Sequence, residues 1–532
     1  MACIAILCFS AIAVSAQIWS GAYRAELSSY PDEPAHAVTG LAFEQYIAHG
    51  LSQNPVGFLL DYYQHYPKVA VGHWPPLLYA AEAAAMLVFS PSKDSLLGLQ
   101  ALLAGILAWL VFRELWPLVG VLPASLGSIT LLLNRQIQVH TSMTMAELLL
   151  TITMFLGCLA FARFAEERRS RDAMWFALWT TAAVWTKGTG WAMILVAAGV
   201  VAAIGAWTLP FDRALRLAAL IGAVFCVPWQ IVTIKSVVNG WDNPLPTLVF
   251  TSKAALQYCK IFLTMPGAAV AVAALVGAAC VLLGGWSAGR GRPYWAAMAS
   301  LVAGACLFNV LVPTSVEPRK VIMIVPPMFV LAAAGAGRLS AWISPQRQHR
   351  GAGMIFACLA LPTLALSLPV EGTRPLGFIP VTAALDHILP LGSAALLVSD
   401  VNGEGSVISE FALRHPTPAV YLVRGTKLLA SEDWDGRHYR NRVSSGEECE
   451  RLLASVPISF LVVDRRKIAQ RQEFFDFVEA MLRSYSTEWT LVRDFPILGD
   501  SPHAVALYRR SAGIEPARKL PDWIVPKIRW LD

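Results

Sequence analysis

The sequence predicts an α-helical polytopic membrane protein followed by a C-terminal soluble α/β domain. Apolar runs of membrane-spanning length recur through the first 369 residues. Residues 1–369 hold 22 Lys+Arg and 15 Asp+Glu, about 10% charged, whereas residues 370–532 hold 20 and 21, about 25%. Beyond residue 370 the apolar stretches shorten and alternate with helical patterns. The whole-chain values, 56% hydrophobic and 15% charged, average over this split; soluble domains have roughly 45–50% apolar and about 25% charged residues. Two domains follow, 1–369 and 370–532. The basic excess lies in the first and is assigned to membrane-flanking loops, which excludes nucleic acid as a partner.

A spanning helix needs about 20 mainly apolar residues. Runs of that kind are Ala2–Gly21, Ser95–Phe112, Leu118–Leu133, Leu148–Phe164, Met174–Thr186, Trp191–Leu209, Leu215–Thr233, Ile261–Gly284, Trp295–Pro313, Val321–Ile343 and Ala352–Leu368, about eleven spans. Pro75–Ser90 is shorter, opens on Pro75-Pro76 and carries Glu82, so it reads as a juxtamembrane helix lying along the interface. With that choice Arg113, Arg163, Arg168, Arg169, Arg171, Arg213, Arg216, Arg290, Arg292, Arg338, Arg347 and Arg350 share one side, which the positive-inside rule assigns to the cytoplasm. Residues 22–94, 134–147, 235–260, 314–320 and the whole tail then face the other side of a bacterial-type inner or plasma membrane. Val14-Ser15-Ala16 resembles a signal cleavage site, but no basic region precedes it, which favours an uncleaved first helix.

In the tail, Ala394–Ser399, Ala419–Val423, Ile458–Val463, Trp489–Val492 and Ala504–Tyr508 read as strands. Ser406–Arg414, Glu447–Ser455 and Glu473–Tyr485 read as helices. No GxGxxG, P-loop or GxSxG motif occurs. Of nine cysteines only Cys449 lies in the tail, so a disulfide framework there is excluded, and no CxxC or Cys/His metal spacing appears. No cofactor is called for, and a divalent metal is left open.

The polar residues that need explanation lie near the membrane on the extracytoplasmic side. Tyr30-Pro31-Asp32-Glu33-Pro34-Ala35-His36 enters a helical pattern; carboxylates are favoured in a first helical turn, so capping and catalysis both fit. Glu147 stands at the lip of the helix beginning Leu148. Two acids on one face suit a general base and its support. His65-Tyr66-Pro67-Lys68 and Gly72-His73-Trp74-Pro75-Pro76 read first as interfacial anchors. Lys187 and Arg319-Lys320 run against the positive-inside trend; snorkelling is the ordinary explanation, and binding of an anionic phosphate the functional one.

Taken in order, Asp32-Glu33, Pro75-Pro76, Glu147, Thr186-Lys187-Gly188, Pro228-Trp229, and Arg319 with Pro326-Pro327 resemble the motifs of GT-C membrane glycosyltransferases. The resemblance is to the dolichyl-phosphate-mannose protein mannosyltransferase and lipid A aminoarabinose transferase type, glycosyltransferase family 39-like, over residues 1 to about 345. It implies a GT-C-like fold and inverting transfer of a sugar from a polyprenyl-phosphate donor to an extracytoplasmic lipid, glycan or protein acceptor. By that resemblance Asp32 is the general base and Glu33, His36 and Glu147 orient groups around it. Lys187 and Arg319 hold the donor phosphate, and His73 and Lys68 support the acceptor or the local structure. Three positions depart from the family pattern: Trp74 stands where Lys commonly precedes Pro-Pro, Lys320 replaces an aromatic residue, and Glu147 replaces Asp. A transporter or flippase of a lipid-linked saccharide is the alternative, since it too would have many spans and a few intramembrane charges.

Overall fold

The computed structural model describes residues 2–239, 246–283, 289–343, 346, 348–368, 370–373, 375–431, 439–466, 471–497, 500–511 and 520. Arg347 and Pro369 lie outside the described residues. In chain order the helices are α1 (Ala2–Ser20), α2 (Glu33–Gln45), α3 (Pro55–His65), α4 (Leu77–Val88), α5 (Lys93–Val119), α6 (Val121–Leu133), α7 (Arg135–Thr141), α8 (Glu147–Glu167), α9 (Ser170–Thr186), α10 (Ala192–Ile204), α11 (Arg213–Asn239), α12 (Leu248–Thr264), α13 (Ala268–Leu282), α14 (Arg292–Leu311), α15 (Val325–Ile343) and α16 (Gln348–Ser367). In the tail come α17 (Phe378–Ile388), β1 (Ala394–Val398), α18 (Val401–Arg414), β2 (Tyr421–Arg424), α19 (Gly425–Leu428), β3 (Ala430–Ser431), β4 (Arg440–Asn441), α20 (Gly446–Ala454), β5 (Ile458–Asp464), α21 (Phe474–Ser484), β6 (Trp489–Ile497) and β7 (Asp500–Arg510).

The chain forms two compact units. The first comprises Met1–Ser20, Gly72–Leu78 and Gly98–Gly372; the second comprises Gly21–Val71, Tyr79–Leu97 and Thr373–Asp532. In the second unit the segments 21–71 and 79–97 group with the tail.

Among the described residues of the first unit and its flanks, seven helical stretches are long and apolar enough to cross a membrane: α1, α5, α8, Arg213–Lys235, α14, Pro318–Ile343 and His349–Ser367. Taking α12 and α13 as one bent span makes eight. Several of the other apolar runs contain turns that hydropathy does not register. The run Leu118–Leu133 is cut at Gly120, whose φ of 86° no β-carbon residue readily adopts, leaving the 13-residue α6. Trp191–Leu209 loses its first residue to a 3₁₀ turn and ends at left-handed Gly205, leaving α10. Ile261–Gly284 is broken at Met265-Pro266-Gly267 with a bend of 102°. Leu77–Val88 has 12 residues, about 18 Å of helix, too short to span.

Packing in this unit depends on small residues. Gly277 of α13 and Gly335 of α15 bring the two backbones together so closely that a β-carbon on either would collide with main-chain atoms of the other. Trp295, Phe155, Phe161 and Phe329 fill the centre. Two arginines assigned to one side of the membrane meet on a single carboxylate: Arg113 donates to Glu114 at 2.8 Å and Arg290 at 3.2 Å.

The second unit is built on a five-stranded sheet of order β2-β1-β5-β7-β6. β1 pairs in parallel with β2 and β5, and β7 runs antiparallel to β5 and β6. All five strands and three helices expected in the tail are present; α17 is an addition. Segments 21–71 and 79–97 are stitched to this domain. The Glu26 carboxylate accepts the main-chain N–H groups of Leu376, Phe378 and Ile379 at 2.6, 2.6 and 3.1 Å, capping α17 from 350 residues away in sequence. Tyr62 and Tyr66 donate to the carbonyls of Pro416 and His415, and His65 stacks on Tyr421 at 4.1 Å.

Candidate functional site

The candidate residues fall into two groups, one in each unit. In the first unit Asn134 accepts from Gln136 N–H, opening α7, and donates to the Met265 carbonyl at 2.6 Å. Glu147 is the first residue of α8, where the helix dipole favours a negative charge. Lys187 leaves α9 in extended conformation and is followed by the tight turn Gly188–Trp191. Gly190 packs so closely on the backbone of Ala183 and Val184 that only a glycine fits. This reversal brings the Lys187 ammonium to Glu147 Oε1 at 2.6 Å. The carboxylate is 1% exposed and the lysine 17%. Glu147 Oε2 is buried and accepts no hydrogen bond among the described residues.

Arg319 lies in a 3₁₀ turn, Pro318–Ile324, that leads into Pro326-Pro327 at the start of α15, where prolines cost no hydrogen bond. Its Nε donates to Glu317 at 2.6 Å, and its side chain is 12% exposed. Ser315 also donates to Glu317. Burial pushes the Glu317 carboxyl up, but Arg319, Ser315 and Lys320 outweigh it and hold the group below the usual carboxylate range. His140 is buried beside the pair, its Nδ1 at 2.7 Å from the Gln136 carbonyl. Burial lowers its imidazole pKa, with Arg319 and Lys187 acting in the same direction and Glu147 opposing. Glu147, Lys187, Arg319 and His140 thus form one electrostatic cluster. His140 and Glu317 escaped the sequence reading, although each lies within seven residues of a residue that it singled out.

In the second unit Asp32 is the residue before α2. Its carbonyl accepts His36 N–H at 2.9 Å, and its side chain makes no capping hydrogen bond. The neighbouring acid does the local structural work: buried Glu33 accepts the Ser29 N–H at 2.8 Å. Of the acid pair, Asp32 is therefore the partly exposed member that is not used as a cap. His36 is buried with its ring 5.7 Å from that of Tyr79. Lys68 is fully buried, and its Nζ donates to the Val401 carbonyl at 3.3 Å.

Glu82, which in the sequence only argued against a span, lies fully buried on α4. Its carboxyl is against Gly40 of α2, and neither oxygen has a hydrogen-bond partner among the described residues. Burial pushes that carboxyl well above the usual range. His73, in the first unit, meets Trp74 edge-on at 4.4 Å. Among the described residues no three His, Cys, Asp or Glu side chains converge to hold a metal ion.

An almost wholly apolar cavity of about 550 Å³ opens between α12, α13, α14 and α15, lined by Tyr258, Phe262, Leu275, Val302, Leu307 and Met328 among others. Tyr258 is electrostatically linked to Glu317, so this wall adjoins the Arg319 segment.

No family model matches the chain, and no curated protein matches it by sequence. Solved structures do. ArnT from Cupriavidus metallidurans bound to undecaprenyl phosphate aligns with a TM-score of 0.58 at 13% identity, over 96% of this chain and 98% of that one. The same protein in the apo state gives 0.50 at 14%, over 81% and 96%. The Archaeoglobus fulgidus oligosaccharyltransferase in the apo form gives 0.51 at 12%, over 87% and 69%. At such identities the likeness is one of architecture, and by it this integral membrane protein has the GT-C fold.

Proposed function

We propose that the protein is a membrane glycosyltransferase that moves a sugar from a polyprenyl-phosphate donor to an acceptor outside the cytoplasm, with the tail on that side. The observation that carries the reading is the cluster of Lys187 and Arg319 with Glu147, in a region where charges are scarce. Two adjacent cations suit a lipid phosphate, and fixed donors of this kind stabilise charge as it develops on a leaving group. The fold shared with an ArnT that binds undecaprenyl phosphate supports the same donor class.

In the proposed reaction the acceptor hydroxyl loses its proton to Asp32. Its oxygen forms a bond to the anomeric carbon with inversion, the bond from that carbon to the phosphate oxygen breaks, and polyprenyl phosphate leaves with the electron pair. Lys187 and Arg319 hold that phosphate, and Glu147 fixes the Lys187 ammonium through their ion pair. A positioned base contributes typically 10²–10⁴-fold.

The bent α12–α13 pair is the feature a transporter would share, since transporters bind cargo at broken helices. Here the break, Met265-Pro266-Gly267, contains no ionisable residue, which favours the transferase. The test is turnover of polyprenyl-phosphate sugars by purified protein in vesicles. Asp32→Asn should insert and fold normally and lose turnover; retained turnover would reject the base assignment.

A further inference from the structure

In open α/β sheets the crevice beyond the carboxyl ends of the parallel strands, where the strand order reverses, is the usual ligand site. In this tail the reversal falls at β1, between β2 and β5, and the edge is filled by the chain's own first external segment. Lys68, fully buried, donates to Val401, the first residue of α18. One turn further, a β-carbon on Gly405 would stand 2.8 Å from Pro34 Cγ and 3.2 Å from Lys68 Cε. The loop that carries Asp32 and the lysine thus press together on a single glycine.

Beside that glycine, buried Glu404 is locked in place. It accepts from Arg424 Nε at 2.7 Å, from Thr426 N–H at 2.8 Å and from the Thr426 hydroxyl at 2.6 Å. Four groups face the Lys68 ammonium: Arg424 of β2, Lys427 of α19, Glu404 of α18 and Asp32 ahead of α2. Burial, Arg424 and Lys427 push its pKa down; Glu404 and Asp32 push it up, and the sum is well below the ordinary lysine value. An amine held this way is sensitive to the charge state of Asp32, and Asp32 to it.

We propose that Lys68 is a positioning residue for Asp32, and that the strand edge around Glu404 and Gly405 is the platform that holds both. The tail is then part of the catalytic machinery rather than an independent binding module. This rests on the reading of Asp32 as the base. Two variants test it. Lys68→Met removes the amine. Gly405→Ala adds one methyl in the tail, more than 370 residues from Asp32, and must displace Pro34 or Lys68.

Each should lower kcat for sugar transfer at least tenfold while the KM for the polyprenyl-phosphate sugar stays within about twofold. Loss of the amine in Lys68→Met should also shift the acid limb of the pH–rate profile relative to wild type. A donor KM that rises as much as kcat falls, or a profile that does not move, would overturn the proposal. Hydrogen exchange separates this proposal from the transferase reading. In both variants residues 29–36 should exchange faster while β1 and β5 remain protected as in wild type. Wild-type exchange at residues 29–36 in both variants would overturn the positioning role whatever the activity. Absence of turnover by the wild-type protein on polyprenyl-phosphate sugars would instead reject the transferase reading.

Discussion

The ion pair between Lys187 and Glu147 makes an asymmetric prediction. Lys187→Met strands a carboxylate that is 1% exposed and whose second oxygen already lacks a partner among the described residues. Glu147→Gln strands an ammonium that is 17% exposed and can find water. Orphaning a buried charge costs about 3–5 kcal/mol. Arg319, His140 and the α8 dipole still act on Glu147, so about 3 kcal/mol, the low end, is expected for Lys187→Met. Glu147→Gln should cost about 1 kcal/mol, the scale of one hydrogen bond lost from a group that can be rehydrated. The double variant leaves no charge behind and should cost about 1–2 kcal/mol, less than Lys187→Met alone. The coupling energy is then about 2–3 kcal/mol, within the range seen for contacting residues. Denaturant unfolding in detergent micelles measures all four corners of the cycle. Additive costs, or Lys187→Met no more harmful than Glu147→Gln, would refute the reasoning. The proposed donor-binding role of Lys187 is accordingly best judged in the double variant, where folding is less disturbed than in Lys187→Met.

Glu82→Gln should flatten the pH dependence of stability. Burial raises the native carboxyl, so above about pH 4.3 the unfolded chain releases a proton that the native state keeps. Stability then falls with rising pH, by about 1.4 kcal/mol per unit, until the native group ionises. The variant should match wild type near pH 4 and exceed it at neutral pH in thermal melts; parallel curves would contradict this. Glu26→Gln removes the charge from three hydrogen bonds that hold residues 376–379 and should cost about 2 kcal/mol, seen as faster amide exchange at those positions. Gly277→Leu should separate α13 from α15 and lower the thermal midpoint, whereas Gly289→Ala, in open space but at φ of 76°, should cost only about 1 kcal/mol.

Much of this was legible because its signals are local. Short apolar runs marked the five strands of the larger sheet in the tail, and Pro75-Pro76 with Glu82 marked α4 as a short helix. The run lengths misled where a single residue decided the backbone: Gly120 and Gly267 barely lower the mean hydropathy of their runs, yet each stands at a helix boundary with positive φ. Asp32 and Glu33 looked equivalent as acids at a helix start. Only the Ser29 N–H pointing at Glu33 distinguishes that acid from Asp32, whose side chain makes no capping hydrogen bond. The grouping of segments 21–71 and 79–97 with the tail was not readable, because it depends on partners such as Glu26 and Phe378 that lie far apart in sequence. The same holds for the enclosure of Lys68, which composition presents as one more interfacial lysine.

The two arms that meet at Lys187, α9 and α10, have 17 and 13 residues, about 26 and about 20 Å of helix. The hydrocarbon core of an ordinary bilayer is about 30 Å thick. An arm that stops short leaves the lipid to adapt, by thinning locally or by drawing polar headgroups inward, at a cost for each ångström of mismatch. Under the proposed reading, a polyprenyl-phosphate headgroup drawn inward by such thinning would reach Lys187 without lifting its chain out of the membrane. Acyl-chain length thereby becomes a variable of this protein's chemistry, and vesicles of thin and thick lipids are two different reaction media for it.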